Sequence, residues 1–289
     1  MVEKYEGEYL MRNISLTIFN KKHQLKKAKL DEELTIGNLT ATGKDFVYLA
    51  AHEFFWEEGD FIQVFVDQPN TYLVVKLDET LDSTLIYLAE KEWIYPVSLT
   101  KNAQEAHSER RFKGSSHYLS VRTATSEEIG SYRNLALNPH DQQNFAGAYP
   151  HAFANVETRN DATFYACNAV DGVYANRSHG AYPYQSWGIN QQPNAELTID
   201  FGRQVILDKV SFILRADFPH DNYWQSVSLF FSDGTKEVFK TIKTEQPQVF
   251  HFTKRMITTV TLGELIQSEE TSLFPALTQI ELFGKNRSE

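Results

Sequence analysis

Two alternating runs, SVSLFF (226–231) and KEVFKTIK (236–243), flank Ser232-Asp233-Gly234-Thr235. Asp233-Gly234 supplies the positive-φ residues of a tight hairpin turn, and the alternation on either side is the period of a strand with one buried face. A chain built from such units folds as sheet. The pattern extends in both directions. ELTIDFG sets Leu197, Ile199 and Phe201 against Thr198 and Asp200, and KVSFILR sets Val210, Phe212 and Leu214 against Ser211, Ile213 and Arg215. VFHF, ITTVTL and LTQIELFG follow at short spacing. Towards the amino end LMRNISLTIF, EELTIGNLTA, DFVYLAAHEFFW, FIQVFV, TYLVVKL, STLIYLA and HYLSVRTA repeat the style, broken at Glu58-Gly59-Asp60 and Gln68-Pro69-Asn70. Short strands between turns, with hardly any helical periodicity, predict an all-β fold of two antiparallel β-sandwich (jelly-roll) domains. The polar stretch Ser98 to Ser116 reads as a surface loop, and SEEIGSYRNLAL (126–137) as a short helix capped by Ser126. The boundary falls near residue 124, giving domains 1–124 and 125–289.

Composition narrows the function. At 289 residues, 42% hydrophobic and 13% aromatic, the chain has material for packed cores. Its formal charge of -10 does not suit a surface that neutralises phosphates, and the one basic patch, NKKHQLKKAK, is followed at once by an acidic run. Nucleic acid is not an expected partner. No apolar run approaches the roughly 20 residues of a membrane span. The opening MVEKYEGEYL has no basic segment or apolar core like a secretory signal, so the chain as given reads as cytoplasmic, or extracellular if a leader has been removed. Cys167 is the only cysteine, so no internal disulfide forms; among the apolar neighbours of FYACNAV it reads as a small core residue.

The ordered set NAVDG (168–172), then a polar aromatic loop containing Trp187, then AELTIDFGRQVILDKVSFIL and a closing QIELFG, resembles the coagulation-factor type C, or discoidin, family and its carbohydrate-binding-module relatives, the galactose-binding-like domains. The resemblance spans about residues 130–285. It implies a β-sandwich whose end loops bind a sugar or other glycan, and a structural Ca²⁺ held by the Asp-Gly turn and a carboxylate near the carboxyl terminus. Asp171 and Glu281 match those two positions, although Val173 follows where the family usually carries an acidic or amide residue. The first half carries only a general jelly-roll likeness, which implies no function.

Three loops combine His with aromatics. In RADFPHDNYW, parity puts Arg215 and Asp217 on the side opposite the core as the strand runs into a loop. There His220 and Asp221 offer polar contacts, and Trp224 offers a face for a pyranose. NRSHGAYPYQSW adds His179, Tyr184 and Trp187, and AYPHAFANVETRND adds His151. Convergence of these loops at one end of the second sandwich would make a non-catalytic carbohydrate-binding protein taking a sugar or other small polyol. In that reading Trp224→Ala and Arg215→Ala weaken binding and leave the melting temperature nearly unchanged. Two alternatives stay open: a hydrolase using zinc on His151, His179 and His220 with Asp217 or Asp221, or paired carboxylates, and a protein-interaction scaffold.

Overall fold

A computed structural model describes residues 11–31, 33 and 35–287. The first half forms two four-stranded antiparallel sheets. One is ordered Thr40–Lys44, Asn13–Phe19, Phe61–Val66, Glu92–Pro96; the other Phe46–Ala51, His117–Thr123, Thr71–Lys76, Thr84–Leu88. Alternation decides which side chains meet. Ile14, Leu16 and Ile18 turn inward from one strand, with Leu16 across from Val64, and Leu73, Val75, Leu119 and Val121 face them from the other sheet.

Glu92–Pro96 is a strand that the turn-and-alternation reading passes over. It lies at a sheet edge, where Pro96 costs no ladder hydrogen bond, and it turns Trp93 and Tyr95 into the core. The stretch 98–116 is more than a surface loop: it holds a helix, Lys101–Glu105, capped by Thr100, and it carries Phe112 into the first core. The helix expected from Ser126 is only five residues, Ser126–Gly130, and its cap is Thr125. The Thr125 side chain accepts from the Glu128 N–H while the Glu128 carboxylate accepts from the Thr125 N–H. Arg133–Asn134 already pairs with Phe283 and Gly284, so the chain has become strand where a longer helix was expected.

The second half is an eight-stranded antiparallel sheet wrapped around one core. Two long strands, Leu197–Leu214 with 18 residues and Gln248–Gln267 with 20, pair across register shifts at 200/205 and 207/209. Such bulges bend a strand and let it serve both layers of a sandwich. Gly202 sits at the first of them with φ +64, and a Cβ there would come within 2.3 Å of the Tyr149 ring. The glycine of Asp-Phe-Gly is therefore demanded by geometry. The core contains Trp187, Phe201, Phe212, Trp224, Leu229, Leu262 and Leu282.

Parity fails at one place. Ser211, Ile213 and Arg215 are as buried as Val210, Phe212 and Leu214. The segment from Asn168 to Asn176 crosses the outer face there: Gln279 Nε2 donates to the Asn168 carbonyl, the Gly172 N–H donates to Gln279 Oε1, and Asn176 Nδ2 donates to the Leu214 carbonyl. The strand is covered on both sides.

The halves meet along a seam. Tyr87 and Tyr149 exchange both backbone hydrogen bonds, the Arg203 guanidinium lies 5.2 Å and 5.1 Å from the ring centres of Tyr72 and Tyr87, and the Leu77 N–H donates to His140 Nε2. Among the described residues no helix is long and apolar enough to cross a membrane.

Candidate functional site

Where the strand Leu197–Leu214 ends, Arg215 turns its guanidinium onto Asp221. Nε donates to both carboxylate oxygens at 3.0 and 2.9 Å, Nη2 donates to Oδ1 at 2.6 Å, and Nη2 also reaches the Phe274 carbonyl at 3.1 Å. Arg215 is 4% exposed and Asp221 fully buried. Asp221 also accepts the Asp217 N–H. Asn222, likewise fully buried, donates through Nδ2 to the carbonyls of Ser268, Glu270 and Ser272. The polar cluster of RADFPHDNYW thus welds the 215–224 loop to the 268–276 loop, with every charge paired as its burial requires.

On this platform stands a stack of rings. The imidazoles of His179 and His220 lie parallel at 4.2 Å, and His220 lies parallel to Phe274 at 5.3 Å. Asp217 fixes His179 through Nδ1 at 2.6 Å. Phe274 is 45% exposed. Members of the stack, His179, His220 and Phe274, line a cleft of about 230 Å³ together with Arg159, Phe164, Asn190 and Gln191. Arg159 (φ +55), Asn190 (φ +47) and Gln191 (φ +58) all occupy the left-handed region, which non-glycine residues enter at a cost and which concentrates at functional sites. The Asn190 N–H donates to Thr158 Oγ1, which ties the two loops together. The Arg159 and Arg215 guanidinium carbons lie 5.5 and 6.0 Å from the centre of the Phe164 ring.

Of the residues singled out in the sequence, Arg215, His179 and His220 line this cleft, Asp217 holds His179, and Asp221 lies beneath as the partner of Arg215. Arg215 was expected on the face away from the core; it is buried, because the covering loops close over that face. The sequence suggests a ring face for Trp224 and leaves Trp187 between core and cleft. Both are core residues, 0% and 1% exposed with ring centres 6.3 Å apart, so neither can stack on a ligand. Tyr184 lies outside the cleft lining. His151 does not join the other two histidines: it is buried at another position, bonded to Asp141 at 2.8 Å and packed between Phe145 and Phe153. Arg159, from the same loop AYPHAFANVETRND that carries His151, does line the cleft, whereas Asn190, Gln191 and Phe274 line it without belonging to any of the three loops.

Asp171 and Glu281 do not fit a Ca²⁺ site. Asp171 Oδ1 accepts from the Val173 N–H and Gln279 Nε2, and Oδ2 accepts from Gln185 Nε2. Glu281 Oε1 accepts from the Tyr174 hydroxyl. The groups gathered around Asp171 are N–H donors where Ca²⁺ needs six to eight oxygens. Burial pushes the Asp171 carboxyl up to about 6, against the hydrogen bonds that pull it down. A carboxyl whose pKa is raised by folding holds its proton more tightly folded than unfolded, so stability falls as pH rises from about 4 to about 6, by up to ~3 kcal/mol. Asp171→Asn is expected to remove this part of the pH dependence. Melting temperatures of both proteins between pH 4 and 7 check it, and parallel curves would refute it.

No protein-family model matches the chain, and no curated protein matches it. The chain is similar to solved carbohydrate-binding modules and lectin domains. Chitosan-binding module 1 of a chitosanase/glucanase from Paenibacillus sp. IK-5 is 18% identical, with a TM-score of 0.36, over 52% of this chain and 98% of the module. The lectin domain of Lectinolysin, complexed with Lewis B antigen, is 19% identical, with a TM-score of 0.39, over 54% of this chain and 97% of that domain. A Clostridium perfringens module in complex with GalNAc-β-1,3-galactose is 16% identical, with a TM-score of 0.35, over 46% of this chain and 94% of the module.

Proposed function

We propose that the second sandwich binds a carbohydrate in the end cleft, without catalysing its cleavage. One observation carries this reading: a parallel ring stack ending in the half-exposed Phe274 lines the same cleft, about 230 Å³, as Arg159, Asn190 and Gln191. A pyranose presents a C–H face and vicinal hydroxyls together. The ring supplies a surface for the first, while the guanidinium and the two amides supply donors and acceptors for the second. Paired-carboxylate hydrolysis is not favoured, since Asp217 is bonded to His179 and Asp221 is buried against Arg215.

Glycan-array screening followed by calorimetric titration of the best glycan tests the proposal. Phe274→Ala and Arg159→Ala are each expected to weaken binding about tenfold, roughly 1.4 kcal/mol, with little change in melting temperature. Binding that is unchanged in both variants would remove the cleft as the site. No response to any glycan would favour the scaffold reading.

A further inference from the structure

A second cluster of ligand-type side chains lies in the first sandwich, far in sequence from the cleft. The strand Thr71–Lys76 runs on into Leu77-Asp78-Glu79, alongside the start of the strand His117–Thr123. Side-chain ligand atoms of Asp78, Glu79 and His117 lie within 4.8 Å of one another. His117 and Asp78 are 5% and 2% exposed, while Glu79 reaches the surface.

The hydrogen bonds leave one atom unexplained. His117 Nε2 faces the Gly114 carbonyl at 3.3 Å, and a carbonyl only accepts, so Nε2 carries the hydrogen. In the neutral ring Nδ1 then bears a lone pair. That atom is buried and makes no hydrogen bond; Glu79 Oε2 faces it at 3.7 Å, an ion-pair distance if the ring is protonated and a gap open to an ion if it is neutral. The indole N–H of Trp56, edge-on to the same imidazole at 5.9 Å, is also buried without a partner. A lone pair such as that of His117 Nδ1 can take an ion or a water, whereas the Trp56 N–H, a donor only, needs an acceptor such as water.

The carboxylates are oriented as ligands are. Asp78 Oδ1 takes two hydrogen bonds from Thr80, and Oδ2 takes one from the Phe112 N–H, which leaves Oδ2 a free lone pair. Glu79 Oε1 takes the Tyr118 N–H, which leaves Oε2 turned to His117. A histidine held by a backbone carbonyl through its other nitrogen, beside hydrogen-bonded carboxylates, is the outer support that metal ligands carry. A gap of 3.7 Å between nitrogen and oxygen is close to what two bonds of about 2.0–2.2 Å to one ion span.

We propose that Asp78 Oδ2, Glu79 Oε2 and His117 Nδ1 bind one divalent transition ion of the zinc class, with water completing a tetrahedral shell. The ion would pin the 78–81 turn to the start of the strand His117–Thr123. One imidazole and two carboxylates suit Zn²⁺.

The test is Zn²⁺ titration of the full chain by calorimetry and thermal shift, made in a His179→Ala/His220→Ala background, because His179, Asp217 and His220 also lie close enough to take up metal. The expected result is one equivalent bound, a rise in melting temperature that EDTA reverses, and at least about tenfold weaker binding in Glu79→Gln and in His117→Gln. Glu79 is the safer substitution, because its side chain is partly exposed. No uptake in this background, or uptake unaffected by Glu79→Gln, would overturn the proposal. Uptake by the unmodified chain that disappears in the background would place the ion at the other cluster and overturn it equally.

Discussion

Trp224→Ala is expected to lower the stability of the second sandwich by about 3–5 kcal/mol, the range for truncating a large buried aromatic. For a unit of this size that is a fall in melting temperature on the order of 10 °C. Trp224 is 1% exposed, packs against Trp187 and opens the strand Trp224–Phe231. The cavity would lie in the main core. A second variant separates packing from polarity. The Trp224 indole N–H is buried without a partner, so Trp224→Phe sheds an unsatisfied donor while keeping much of the volume, and it should cost far less. Thermal or urea denaturation of the three proteins checks the order. A melting temperature unchanged in Trp224→Ala would mean that the indole is a surface group after all.

The second large effect concerns Arg215 and Asp221. Asp221→Ala leaves a guanidinium buried without its carboxylate, a change that typically costs about 3–5 kcal/mol. It should also loosen the cleft, because the same guanidinium holds the Phe274 carbonyl and the same carboxylate holds the Asp217 N–H. Arg215→Met/Asp221→Leu removes both charges together and is expected to recover most of the stability, since paired apolar replacement of a buried ion pair is often close to neutral. Denaturation of the single and double variants measures this coupling. A double variant as unstable as the single one would show that the hydrogen bonds to the loops matter more than the pairing.

Much of the fold can be read from residue pattern because a strand's period is two and glycine marks its turns. The hairpin at Asp233-Gly234 forms, with Val227 paired to Phe239, although only Gly234 and not Asp233 takes positive φ, and Leu197, Ile199 and Phe201 all point into the core. Parity fails where a third layer intervenes. Nothing local to KVSFILR announces that the segment around Asn176 will lie across it, so Ile213 and Arg215 looked exposed. The tryptophans misled for a related reason: indole suits a core and a sugar face equally, and only the tertiary fold decides. The cleft residues outside the three loops, Asn190 and Gln191, adopt left-handed backbone without being glycine, so the usual marker of such a conformation is missing from the sequence. Phe274, in the sequence Leu273-Phe274-Pro275, looks like ordinary apolar chain until Arg215 draws its carbonyl inward.

The seam bears on what either half is without the other. Ala146 and Ala148 pack into the first core, and His140 accepts the Leu77 N–H, although all three follow the expected boundary near residue 124 in the chain. Arg203, on the second sandwich, rests on two tyrosines of the first. A cut at residue 124 would leave the first half with an open flank and an unanswered N–H, and the second with a guanidinium stripped of its rings. The two sandwiches share a border strip of chain, so a mutation in that strip acts on both at once.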